Sequence, residues 1–112
     1  MTTDTATIDR LGLAERERVL ALLRTREPEL RALGVSLLRL YGSMARGEAG
    51  PESDVDLMAE LDHRAKFSLI DHVGLEFDLG DLLGRRVDIS TAPWKMRPRM
   101  RRRVDRDAIE VF

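Results

Sequence analysis

Between Asp54 and Ser90 the chain reads strand, helix, strand, and this stretch constrains the fold more than any other. From Asp54 to Leu61, Val55 and Leu57 point one way and Asp54 and Asp56 the other, the two-residue period of a half-buried strand. Phe67 to Leu83 follows as a long helix, with Leu69, Val73 and Phe77 four apart and Gly84 just past the end. Arg86 to Ser90 alternates again, Val87 and Ile89 facing the core and Asp88 opposite. A helix of crossover length joins these two strands, which points to a mixed sheet with helices packed mainly on one face.

The flanks complete the pattern. Val19, Leu20, Leu22 and Leu23 cluster at helical spacing within Ala14 to Arg26. Pro28 fits the first turn of a short second helix ending at Leu33, and Gly34 suits its stop. Val35 to Tyr41 reads as a mostly buried strand. Gly42, Gly47, Gly50 and Pro51 then mark a turn-rich stretch with room for one helical turn from Ala45. A basic helix from Met96 to Val104 and a short edge strand within Ala108 to Phe112 close the chain. The expected order is α-α-β-β-α-β-α-β: an α/β fold with about four strands in one domain spanning residues 1–112, residues 1–8 frayed.

Composition removes several function classes. The 112 residues contain no cysteine, which excludes disulfide scaffolds, thiolate zinc sites and thiol nucleophiles. No apolar run approaches the length of a membrane span, and the polar start MTTDTATID does not resemble a secretory signal. A cytoplasmic protein is expected. The net charge of −1 argues against a protein that coats nucleic acid, although residues 95–112 hold 7 basic and 3 acidic side chains.

Three pieces of sequence carry chemistry. Gly42-Ser43 ends the first strand, where glycine allows a sharp turn and close approach to a ligand. The serine hydroxyl and following amides suit nucleotide phosphates. Asp54 and Asp56 lie two apart on a strand and so share one face, as oxygen ligands for Mg²⁺. Asp88 also points away from the core. If its strand lies beside the second, three carboxylates meet on one surface, and without a cation at least one pKa must rise. One or two divalent ions there could serve an in-line phosphoryl displacement. Gly-Ser, ten residues, Asp, one residue, Asp arises by chance in roughly two chains per thousand of this size.

The run Leu40-Tyr41-Gly42-Ser43-Met44-Ala45-Arg46-Gly47, followed by Ser53-Asp54-Val55-Asp56-Leu57, resembles the minimal nucleotidyltransferases of the DNA polymerase β superfamily. Leu82-Leu83-Gly84-Arg85-Arg86-Val87-Asp88-Ile89 is similar to that group's third-carboxylate strand, and the segments around Arg97-Pro98-Arg99 and Arg103 to Ala108 to its C-terminal part. The resemblance implies a nucleotidyltransferase-like sheet and the antitoxin half of a toxin–antitoxin pair, whose partner is an all-helical HEPN ribonuclease. It implies that Gly42 and Ser43 hold the triphosphate of ATP, and that Asp54, Asp56 and Asp88 bind Mg²⁺, two ions in all. Asp88 would also help deprotonate the acceptor hydroxyl. The implied reaction moves AMP from ATP to a toxin tyrosine. Two readings compete with it: a non-catalytic antitoxin that acts by binding alone, and a nucleotidyltransferase for a small molecule or RNA end.

The remaining residues carry weaker expectations. Arg46 is a candidate to reach a phosphate or pair with a motif carboxylate, against a solvated turn residue. Ser53 is expected to brace the Asp54 turn, and Tyr41 to pack on the core side. His63 and His72 lack ligand spacing and are expected at the surface. Trp94 is expected to pack the last helix against the sheet. The arginines from Arg97 to Arg106 read as a partner-facing or solvated helix face; direct nucleic-acid binding is not expected, since aromatic interleaving is sparse.

Overall fold

The computed structural model describes the backbone from Thr5 to Phe112, and side chains from Arg10 onward except that of Pro93. Helices α1 (Thr5–Arg24) and α2 (Glu27–Ala32) lead into strand β1 (Val35–Tyr41). A four-residue helix, α3 (Gly42–Ala45), follows at once. Strand β2 (Val55–Leu61), helix α4 (Leu69–Leu83) and strand β3 (Val87–Ser90) form the crossover unit. A 3₁₀ turn (Pro93–Lys95), helix α5 (Pro98–Asp107) and strand β4 (Ile109–Glu110) end the chain. Residues 1–4, half of the stretch expected to fray, lie outside the described residues; from Thr5 the backbone is helical, earlier than the expected start at Ala14.

The sheet order is β3-β2-β1-β4. β1 pairs antiparallel with β2 and with β4, while β2 and β3 are parallel, as the crossover helix requires. Alternation sorts the side chains onto two faces. Leu38 and Leu40, Val55, Leu57 and Ala59, and Val87 and Ile89 pack with Val19, Leu20 and Leu23 of α1 and Leu30 of α2 in the main core. Tyr41, Met58 and Val104 form a smaller cluster on the opposite face, covered by α5. Helices therefore lie mainly, not wholly, on one face. Tyr41 belongs to this second cluster rather than to the main core. Two residues earlier and two later along a strand put side chains on the same face, so Tyr41 follows Arg39, not Leu40.

Helix α4 departs from expectation at both its start and its face. Ser68 caps it: the Ser68 hydroxyl accepts from Asp71 N–H at 3.1 Å, and the Asp71 carboxylate accepts from Ser68 N–H at 3.0 Å. Phe67 thus falls outside the helix, its ring 5.9 Å from that of His72. The buried residues are Leu75, Leu79 and Leu83. Leu69, Val73 and Phe77, the expected stripe, are instead 78%, 43% and 72% exposed. The helix carries two apolar stripes about 120° apart, and four-residue spacing is satisfied by either. Among the described residues, no helix is long and apolar enough to cross a membrane.

Candidate active site

The motif residues gather at one end of the sheet, where β1 ends and β2 and β3 begin. Tyr41 pairs with Asp56 across β1 and β2, and Asp56 with Asp88 across β2 and β3. Both carboxylates therefore leave the sheet on the face away from the main core. Asp54 precedes β2 by one residue and is exposed. Burial pushes the Asp56 carboxyl above its ordinary range, and the charges of Asp88 and Asp54 push it further. Burial does the same to the Tyr41 hydroxyl, with Asp56 and Asp88 adding to it and Ser90 opposing. The face is a focus of uncompensated negative charge. Among the described residues, no three His, Asp or Glu side chains close into a ready-made metal cage.

Gly42 explains why Asp56 sits where it does. Its φ is +76°, and a Cβ built on it would lie 2.6 Å from Asp56 Oδ2. Only the bare backbone admits the carboxylate so closely. Ser43 follows within α3, and its carbonyl accepts from Glu48 N–H at 2.9 Å, which closes the turn.

The approach to Asp54 is braced from three sides. Ser53 Oγ accepts from Gly50 N–H at 2.8 Å, so Ser53 does hold this turn. Arg85 donates to the carbonyls of Gly50 and Ser53, at 2.9 and 2.8 Å, and to Glu15 at 3.0 Å. Val55 N–H donates to Arg86 O at 2.8 Å. Hydrogen bonds from Arg18 and then Arg85, against partial burial, hold Glu15 at about 2. Arg85 thus ties α1, the motif loop and the start of β3 together. Sequence reasoning assigned it no role; an arginine one residue past a helix-ending glycine gives no sign of partners 32 to 70 residues away.

Other residues land differently from expectation. Arg46 pairs with Glu48 at 3.0 Å and Asp107 at 3.6 Å rather than with a motif carboxylate. It still lines, with Tyr41, Gly42, Asp56 and Arg103, a cleft of about 170 Å³ between α3 and α5. Arg103 is the one arginine of the basic segment that lines this cleft. Trp94 is 72% exposed and does not pack α5 against the sheet; Met96, Val104 and Ala108 do. His63 is exposed. His72 is half-buried, and its Nε2 lies 2.8 Å from Ile89 O, while Glu76 accepts from Ile89 N–H at 2.9 Å. The two side chains occupy hydrogen-bonding groups of an edge strand that would otherwise be open to another chain.

The geometry matches known proteins. The family model for the nucleotidyltransferase domain matches residues 18–110. Protein adenylyltransferase MntA of Thermococcus cleftensis is 38% identical over 74 residues, 65% of this chain and 73% of that protein. A solved structure described provisionally as a minimal nucleotidyltransferase is 40% identical, with a TM-score of 0.59 over 86% of this chain and 88% of the other. A tri-AMPylated Shewanella oneidensis HEPN toxin in complex with MNT antitoxin matches at 17% identity and a TM-score of 0.54, over 90% of this chain and 71% of that one; at that identity it speaks to the fold alone. With its sheet order, its glycine-seated carboxylate and a family match over most of its length, the chain belongs to the nucleotidyltransferase domain family, as a minimal nucleotidyltransferase.

Proposed function

We propose that this nucleotidyltransferase is an antitoxin that transfers AMP from ATP to a tyrosine of a cognate HEPN ribonuclease and thereby silences it. The observation that carries the reading is Asp56, seated against Gly42 and level with Asp88 on the sheet face away from the main core. The acceptor oxygen would bond to the α-phosphorus as the bond to the bridging oxygen breaks and pyrophosphate leaves. The oxygen-only donor set, with charge crowded onto a half-buried Asp56, fits Mg²⁺, which needs one or two carboxylates alongside water and phosphate oxygens. Bound there, the cation would supply charge stabilisation to the triphosphate and the attacking oxygen.

The chain's own residues do the rest. Gly42 and Ser43 would seat the phosphates, with Arg46 and Arg103 as flanking cations. Asp54 and Asp56 would hold the metal, and Asp88, the outermost of the three, would share it and take the proton of the acceptor hydroxyl. Alignment dominates this kind of catalysis. The relative named a protein adenylyltransferase supports the same reading.

The test is direct. With purified HEPN partner, Mg²⁺ and α-labelled ATP, label should appear on a partner tyrosine, and EDTA or Asp54→Asn with Asp56→Asn should abolish it. Absence of label where the two proteins bind would sink the enzymatic reading. Survival of neutralisation in the double variant would favour an antitoxin that acts by binding alone, the reading suggested by the exposed arginine helix.

A further inference from the structure

The exposed stripe of α4 is not absorbed by the chemistry above. Leu69, Ile70, Val73 and Phe77 face solvent, and Ile70, Val73 and Phe77 follow the three-then-four spacing of a helix-packing seam. Soluble proteins seldom leave a contiguous apolar face bare without use for it. The charge on the helix itself is one-sided, although Arg85 and Arg86 line the groove beside it. Across its 15 residues α4 holds Asp71, Glu76, Asp78 and Asp81 and neither Lys nor Arg. Asp71 is committed to the helix cap and Glu76 to Ile89 N–H. Asp78 and Asp81 are exposed, and among the described residues neither pairs with a cation.

The stripe also leads to the site. A groove of about 720 Å³ runs between α4 and the outer edge of β3, with Phe77 and Asp81 among its lining residues and Asp88 too. A protein seated on Phe77 has a path to the carboxylate assigned to the acceptor hydroxyl. Strand addition is blocked at Ile89, whose N–H and carbonyl are already taken by Glu76 and His72, so the contact must be made through side chains.

We propose that the solvent face of α4 docks the acceptor protein through a helix whose apolar seam packs on Ile70, Val73 and Phe77 and whose flanking Lys or Arg residues face Asp78 and Asp81. The inference rests on the reading that the acceptor is a protein, and it adds where that protein sits. The test is calorimetric binding of purified HEPN partner to the full chain. Val73→Glu with Phe77→Glu should fold as the parent does, judged by circular dichroism, and should weaken binding by roughly a hundredfold. Asp78→Lys with Asp81→Lys should weaken it by about tenfold and flatten its dependence on salt.

Label transfer is followed in parallel. Unchanged affinity in both double variants, with transfer intact, overturns the docking surface and leaves the reaction standing. Weakened affinity in a pair that never transfers label supports the surface and overturns the reaction. No binding by the parent chain overturns both. If the glutamate variants instead split a dimer of this chain, as seen by light scattering, the face belongs to a second copy and the proposal falls.

Discussion

At the scale of single residues, two carboxylates of this chain are perturbed in opposite directions by identifiable neighbours. Glu15 gains two guanidiniums and is held low, whereas Asp56 gains burial and two like charges and is pushed up. A carboxyl raised on folding binds protons more readily in the folded state, so it costs stability as pH rises from its ordinary value of 3.8 through its folded one. Asp56→Asn should therefore raise the melting temperature at neutral pH in metal-free buffer while abolishing transfer. The gain should vanish as pH falls below the carboxylate range; scanning calorimetry from pH 3 to pH 7 would show both. Gly42 gives a second expectation. An alanine there meets Asp56 Oδ2 at 2.6 Å and forces an L-residue to φ +76°, a strain of about 1–2 kcal/mol. Displacing the carboxylate by even part of an ångström should lower the transfer rate by roughly a hundredfold, measured against an unchanged far-ultraviolet spectrum.

At the scale of elements, α4 shows what a periodic pattern contains and what it omits. Its end at Gly84 and its role as a crossover follow from residue spacing and from the αL stop at φ 66°. Its inward face does not follow, because Leu69-Val73-Phe77 and Leu75-Leu79-Leu83 are equally good four-residue series. The sheet selects the second, and the first is left for solvent or a partner. Leu79→Ala should thus cost about 2–5 kcal/mol of stability, as a cavity in a packed core does. Phe77→Ala should cost within about 0.5 kcal/mol of nothing. Urea denaturation of the two variants side by side would show the contrast, and equal losses would place Phe77 in the core after all. The basic helix α5 behaves similarly. Its amphipathic pattern locates a helix, but only packing reveals that Val104 is its anchor and that Trp94 before it stays outside.

At the scale of the whole molecule, the site is assembled from segments that never touch along the chain. Arg103, from α5, lines the same cleft as Gly42 and Asp56 although it is remote from both in sequence. If a nucleotide seats its phosphates at Gly42-Ser43 as proposed, Arg103 is a cation in the same cleft to meet them. Arg103→Ala should raise the KM for ATP by about tenfold with a smaller change in kcat, while Arg102→Ala, outside the cleft, should do neither. Steady-state transfer at varied ATP would separate the two. The fold class, the parallel β2–β3 pair, the placing of Asp56 and Asp88 on one sheet face and the turn at Gly42 were all legible in the sequence. They depend on local rules, alternation within a strand, spacing within a helix and glycine at a turn, which each segment carries with it. The brace at Arg85, the Asp56–Gly42 contact, the pairing of Arg46 with Asp107, the bare face of α4 and the entry of Arg103 into the cleft were decided by the tertiary structure alone. Each depends on the distance between segments remote in sequence, and that distance is set only when the main core packs and carries all of them into register.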